Sequence, residues 1–229
     1  MQVVRLVKTS DLQQVTELIK KTGIGMTTMP KTRKEVQERI AWSVNSANKK
    51  KPNPNKDTYL FVLENDKKII GISAIYTSVS KEKPSVFFKL KKIKLSSDTY
   101  KFEKESDVLQ LHLLHKPYSE LGTIFIDPSS RGRGRGSLLS FARLQLIGAH
   151  QTRFDKKILV EIRGWKDKNG KSYFWESFSK AFFNLDFFSI DRLSYIDNHF
   201  ITESVPKFPF IVELLPKRVQ KVLGKAHPN

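Results

Sequence analysis

Apolar positions recur along the chain with two periods, and the alternation between them predicts the elements. Val3-Val-Arg-Leu-Val7 reads as a first strand, and Thr9-Ser-Asp11 offers a helix cap. Leu12, Val15, Leu18 and Ile19 share one helical face, which predicts a helix over 11–21. Thr32 caps a second helix with Val36, Ile40 and Val44 inward, and 48–55 is a hydrophilic connector. Thr58-Tyr-Leu-Phe-Val-Leu63 and Ile69-Ile-Gly-Ile-Ser-Ala-Ile75 are strands joined by a hairpin turn at 64–68. Strand-like pieces at 86–90, 92–95 and 108–114 have no pairing that the pattern settles. Residues 121–126 form a short apolar run, 138–147 a buried helix and 157–162 a further strand. Phe174, Trp175, Phe178, Phe182 and Phe183 stand at helical spacing, as a core or as an aromatic platform for nucleic acid. An apolar segment at 208–214 and a short helix at 218–223 follow.

The chain is organised around Glu120-Leu-Gly-Thr-Ile-Phe-Ile-Asp-Pro-Ser-Ser-Arg-Gly-Arg-Gly-Arg-Gly-Ser137. Asp127-Pro-Ser-Ser130 stops the strand, glycines follow, and then a helix opens. That order gathers free backbone N–H groups at a helix N-terminus, where the helix dipole favours a phosphate. Neither the dinucleotide fingerprint G-x-G-x-x-G nor the P-loop is present, because the glycines here are Gly132, Gly134 and Gly136 and no Gly-Lys-Ser/Thr follows a glycine after four intervening residues. Arg131 to Gly136 instead fits R-x-x-G-x-G. An arginine–glycine nucleic-acid tract is the competing reading, but such tracts repeat in disordered sequence, whereas this one lies between apolar elements.

A chain of 229 residues can bury a sizeable core and reads as a single domain, 1–229, with 201–229 as a C-terminal extension. No cysteine is present, which removes disulfides and thiolate chemistry and fits a cytoplasmic setting. The start lacks a signal-peptide pattern, and no run is long enough to span a membrane, so no membrane partner is expected. The formal charge is +18, but the excess is mostly Lys scattered along the whole length. That distribution reads as a solvated face or a compositional bias of the source rather than a groove, and no specific nucleic acid is expected. His112, His150 and His199 show no metal-ligand spacing, and no metal site is expected.

The loop Arg131-Gly-Arg-Gly-Arg-Gly136 resembles the pyrophosphate loop of the acyl-CoA N-acyltransferase (GNAT) superfamily. The element order also resembles that fold: α/β, a mixed, mostly antiparallel sheet flanked by helices. Longer words narrow the resemblance to bacterial arginine N-succinyltransferases. Gly25-Met-Thr-Thr-Met-Pro30 resembles that family's G-L-T-S-L-P, and Glu120 to Pro128 with Arg131 resembles E-L-C-T-L-F-L-D-P-x-x-R. Glu161-Ile-Arg-Gly164 resembles E-M-R-G, while Phe174-Trp-Glu-Ser and Phe182-Phe-Asn-Leu-Asp-Phe187 resemble F-W-x-S and F-F-x-x-D-F. His227-Pro228 resembles the opening of H-P-x-T.

The resemblance implies transfer of a succinyl group from succinyl-CoA to the α-amine of arginine, in arginine catabolism, with no tightly bound cofactor. Ornithine is the nearest alternative acceptor. It implies His227 as proton donor, Ile124 at the succinyl-CoA contact, and Arg131, Gly132, Arg133, Gly134, Arg135 and Gly136 on the pyrophosphate. The strand carrying Ile124, Phe125 and Ile126 is expected to splay from its neighbour so that its backbone meets the pantetheine arm. Glu120 at the strand entrance either relays a proton, meets the cationic substrate, or is a surface carboxylate. Arg163 either clamps the succinyl carboxylate or pairs with Glu161 or Asp186. Thr27 and His115 are the remaining substrate-side candidates, although the neighbours of His115 differ from the family's N-D-H-T-G word. Family members continue well past H-P-x-T, whereas His227 stands two residues from Asn229. A group on a fraying terminus is poorly held. The alternatives are therefore a catalytically impaired remnant or a split-subunit enzyme with a companion chain or homo-oligomer. A basic nucleic-acid module stands behind these.

Overall fold

An unbroken apolar run such as 58–63 needs cover on both faces, and the computed structural model of the chain supplies it. The structure describes residues 1–22, 29–30, 32–79, 84–186, 189–190, 193, 199–205 and 207–227. The chain gathers into two compact units, Met1–Glu82 with Lys116–Glu161, and Lys83–His115 with Ile162–Asn229. The sequence pattern predicts instead a single domain over 1–229 with a C-terminal extension at 201–229.

The first unit holds a five-stranded sheet of β1 (Gln2–Leu6), β2 (Thr58–Asn65), β3 (Lys68–Val79), β6 (Tyr118–Ile126) and β7 (Ile158–Leu159), in that spatial order. All neighbours are antiparallel except β6 and β7. Along β2 the side chains alternate. Leu60 and Val62 pack with Val15 and Ile19 of α1 (Leu12–Lys20) and Val36 and Ile40 of α2 (Arg33–Asn48). Tyr59, Phe61 and Leu63 pack on the other face with Leu139 of α3 (Arg135–Ala149) and with Phe154. The mixed sheet flanked by helices is therefore the α/β arrangement expected.

Local signals account for the joints. At the turn between β2 and β3, Asp66 and Lys67 are both left-handed, with φ of 49° and 66°. At the start of α2 the Thr32 hydroxyl accepts from the Glu35 N–H at 3.2 Å, and the Glu35 carboxylate accepts from the Thr32 N–H at 2.9 Å.

In the second unit the three strand-like pieces are two long strands. β4 (Ser85–Ser97) and β5 (Phe102–Leu114) form one hairpin, and β8 (Phe210–Ile211) pairs with β5. The Lys-rich outer half of the hairpin is solvent-facing, with exposed ion pairs such as Lys94–Glu103 that contribute little stability. Phe88, Phe174 and Phe178 meet at ring distances of 5.0 to 5.9 Å, and Phe178 is buried. The aromatic spacing on α4 (Tyr173–Phe182) thus marks a core, not a nucleic-acid platform. Two short helices, α5 (His199–Ser204) and α6 (Lys217–Gln220), complete the described part.

Two expectations change. The strand at 157–162 pairs only over Ile158 and Leu159, because its continuation leaves the sheet. The helix at 138–147 is buried on one side only: Leu139 is enclosed, while Leu138, Phe141 and Leu144 are exposed.

Candidate active site

Asp127 N–H closes onto the Ile70 carbonyl, and its side chain caps the turn at Pro128–Ser130. The carboxylate accepts from the Ser129 N–H at 3.1 Å and hydroxyl at 2.9 Å, and pairs with Lys21 Nζ at 2.6 Å. These partners, Lys21 first, hold its pKa down at about 2. The folded value lies below the ordinary 3.8, so the stabilisation is complete above 3.8 and lost as pH falls toward 2. Asp127→Asn keeps an oxygen to cap the turn but loses the charge that pairs with half-exposed Lys21, and should therefore lower stability by about 1 kcal/mol or less at neutral pH. In thermal melts the gap to the parent protein should close between pH 3.8 and about 2; a gap indifferent to pH would remove the ion pair from the account.

Beyond this turn, Gly132, Arg133 and Gly134 are left-handed in succession, with φ of 89°, 53° and 70°. Glycine meets that demand without strain at the first and third positions. The turn closes through Arg135 N–H to the Gly132 carbonyl at 3.2 Å, and α3 begins with Leu138 N–H on the Gly134 carbonyl at 2.9 Å. The N–H groups of Gly132, Arg133, Gly134, Gly136 and Ser137 have no acceptor among the described residues. A Cβ placed on Gly132, Gly134 or Gly136 would meet nothing within 4 Å, so the loop faces open space. Its three arginines divide. Arg135 donates to the Ser130 carbonyl at 2.7 Å and so braces the loop, while Arg131 and Arg133 are exposed. Unpaired amides, a helix N-terminus and two free guanidinium groups can hold a polyphosphate.

The strand leading into the loop is forked from its neighbour. β6 pairs with β7 only at Ser119–Ile158 and Glu120–Leu159. Past Glu120 the two separate, leaving that edge of β6 open, and Val160 is exposed where β7 departs. On the other side β6 carries a bulge: Ser73 pairs with Ile124 and Ala74 with Gly122, so Thr123 is the extra residue, at φ 43°. Ile124 is 43% exposed, whereas Phe125 is in the core and Ile126 packs against the α3-side cluster. Phe125 and Ile126 thus present only main chain to the open edge.

Arg143 of α3 stands behind the bulge and escaped the sequence reading. It is 5% exposed, donates to the Gly122 carbonyl at 3.2 Å and to the Ser140 hydroxyl at 3.0 Å, and has no carboxylate partner among the described residues. Burial lowers its pKa. The signal was available: an arginine four residues after Leu139, on the inward face of an apolar helix.

Glu120 sits at the point of the fork and is 6% exposed, so the surface-carboxylate reading is set aside. Burial first, and the like charge of Glu161 second, raise its pKa to about 7. Glu161 keeps exposed surface, yet desolvation by the atoms packed around it raises its pKa too. A Cβ on Gly122 would meet the Tyr76 ring at 2.5 Å and Glu120 Oε1 at 3.2 Å, so both groups border one point on β6. Tyr76 in turn shares a 3.0 Å hydrogen bond with the Thr123 hydroxyl.

The remaining candidates lie in the second unit or outside the described residues. His227 N–H donates to the Arg163 carbonyl at 2.8 Å, Ala226 bridges Gly164, and Trp165 N–H donates to the Lys225 carbonyl at 3.0 Å. His227 is half-buried on this ladder, not on a fraying end. The Arg163 side chain is exposed and forms no ion pair among the described residues, with Glu161 and Asp186 included. His115 is exposed just past β5, and Thr27 lies outside the described residues.

Residues 2–229 match the family model described as arginine N-succinyltransferase beta subunit. The chain belongs to that family. It is 36% identical over 232 residues to an arginine N-succinyltransferase of Yersinia pestis, covering 100% of this chain and 66% of that protein. The arginine N-succinyltransferase subunit beta of Pseudomonas aeruginosa is 34% identical over 229 residues, covering 99% and 67%. The solved arginine/ornithine succinyltransferase subunit AI from Pseudomonas aeruginosa superposes with a TM-score of 0.85 at 28% identity, over 100% of this chain and 67% of that one. The chain thus spans about 66% of the length of such relatives. Among the described residues no helix is long and apolar enough to cross a membrane.

Proposed function

We propose that this chain carries the acyl-CoA half of an N-acyltransferase that moves a succinyl group from succinyl-CoA to the α-amine of arginine. The observation that carries the reading is the row of unpaired N–H groups at Gly132, Arg133, Gly134, Gly136 and Ser137, beside the open edge of β6. The amides take the diphosphate of CoA, with Arg131 and Arg133 adding charge, and the pantetheine arm runs along the edge as an added strand. The thioester then lies by Ile124 and the bulge.

The acceptor reaches the site as an ammonium and must lose a proton before it can attack. Glu120, ionised above about 7, accepts that proton. The amine nitrogen bonds to the thioester carbon, backbone N–H groups of β6 steady the oxyanion, and the C–S bond breaks. His227 gives the departing thiolate its proton. A cytoplasmic setting follows from the substrates. The relatives named as beta or AI subunits support a companion chain as partner.

Thiol release from succinyl-CoA on addition of arginine tests the reading directly, with ornithine as second acceptor and acetyl-CoA as second donor. A thiol leaves readily even unprotonated, so His227→Ala should slow release by only about tenfold, below the usual range for a general acid. Equal rates in the two proteins would take His227 out of the mechanism. No thermal stabilisation of the parent protein by CoA would remove the acyltransferase reading altogether.

A further inference from the structure

A small cleft in the first unit opens between α1, α2 and the sheet. Its wall includes Val15, Ile19, Val36, Arg39, Tyr76 and Thr123. Among the described residues its lining is apolar except where Arg39 and the Tyr76–Thr123 pair meet, and Thr123 belongs to the bulge in β6. Arg39 is half-buried on α2, with its guanidinium carbon 5.2 Å from the Tyr76 ring centroid and 5.8 Å from that of Trp42. Two rings thus hold the cation in place. No hydrogen bond or ion pair satisfies its donors among the described residues. Taking a guanidinium partly out of water without an anion is unfavourable. A planar fork of donors, fixed by stacking and left open, is suited to a carboxylate brought in from outside.

We infer that Arg39 receives the α-carboxylate of an amino-acid acceptor. This rests on the acyl-transfer reading above and names the end of the acceptor that the cleft recognises. In an α-amino acid the carboxylate and the amine share one carbon. A carboxylate on Arg39 therefore sets the amine toward Tyr76 and Thr123, beside the point that Glu120 borders. The enclosed part of the cleft is ≈ 10 Å³, room for about one water. That matches the size of a carboxylate oxygen, and a carboxylate seated on Arg39 leaves the rest of the acceptor outward. The cleft accordingly reads the backbone end that arginine and ornithine share.

Arg39→Gln and Arg39→Lys, each first checked by thermal melt, are compared with the parent protein on arginine and on argininamide, which has no carboxylate. Arg39→Gln should raise KM for arginine by about 30-fold, the loss of a charge-assisted pair, with kcat and CoA affinity nearly unchanged. Arg39→Lys should recover part of the loss. Argininamide should be a poor substrate for the parent protein and no poorer for Arg39→Gln. Equal losses on the two substrates, or an unchanged KM, would overturn the inference. Calorimetry of arginine binding, without acyl donor, separates it from the reading it rests on. Binding that is lost in Arg39→Gln upholds the carboxylate site even if no thiol is released. Arginine binding equally to both proteins, or to neither, removes it.

Discussion

Replacing Glu120 with Gln should cut acyl transfer by roughly 10²–10⁴-fold, the usual worth of a positioned general base, while leaving CoA affinity unchanged. The argument starts from burial. A carboxylate 6% exposed at the fork, with Glu161 as a like-charged neighbour, is harder to ionise, and its pKa rises from 4.5 to about 7. Below about 7 the group carries its proton and cannot take another, so kcat/KM for arginine should climb with pH through that value. In Glu120→Gln that limb should vanish, leaving a low, flat rate. Glu161→Gln should move the limb to lower pH without removing it, because burial is the larger cause and stays. Stability has the opposite sign. A folded pKa raised above the ordinary value favours the fold at low pH and weakens it as pH climbs from 4.5 to about 7. Glu120→Gln should therefore melt no lower than the parent protein at pH 8, which separates lost chemistry from lost fold. The parent's limb persisting in Glu120→Gln would move the base elsewhere.

What the sequence could and could not disclose divides along physical lines. Strand, turn and helix around Asp127 and Gly134 were legible because each joint is written in local chemistry: an Asp-Pro stop, glycines where φ turns positive, apolar spacing beyond. The Thr32 cap and the hairpin turn at 64–68 were legible for the same reason, although the reciprocal bond from Glu35 was not read. The fork after Glu120 was only half visible. The resemblance implied a splayed strand, yet Ile158-Leu-Val-Glu-Ile162 has the composition of one continuous strand, and nothing local says that pairing ends at Leu159. A bulge is a count of residues on one strand against its partner, so Thr123 looked like any other member of its run. Arg143, Arg39 and Tyr76 matter through contacts with residues far away in the chain, which no spacing encodes. The burial of Glu120 belongs to the same class, since only the packed sheet raises its pKa. The resemblance supplied His227, but its ladder with residues 163–165 required the fold.

The loop should respond as sharply to charge as the fork does to loss of its carboxyl. At Gly134, φ is 70° and a Cβ meets nothing within 4 Å, so the position asks for left-handed backbone and leaves room for a side chain. Asp and Asn are the residues other than glycine that visit this region most readily. Gly134→Asp and Gly134→Asn should therefore both fold, melting within about 1–2 kcal/mol of the parent protein. They are nearly the same shape and differ by one charge. A carboxylate a few ångströms from a diphosphate repels it by several kcal/mol at an interfacial dielectric, and salt and water reduce that. The net should be about a 100-fold weaker Kd for CoA in Gly134→Asp, with a much smaller loss in Gly134→Asn. The gap between the two should shrink as salt is raised, since screening acts on the charge and not on the shape. Dephospho-CoA should show nearly the same gap as CoA, because it keeps the diphosphate and lacks only the ribose phosphate. Calorimetric titration at two ionic strengths measures all of this. Equal affinities in the Asp and Asn variants would mean that no phosphate approaches the amides of Gly132, Arg133 and Gly134, and the acyl-CoA site would have to be sought on another surface.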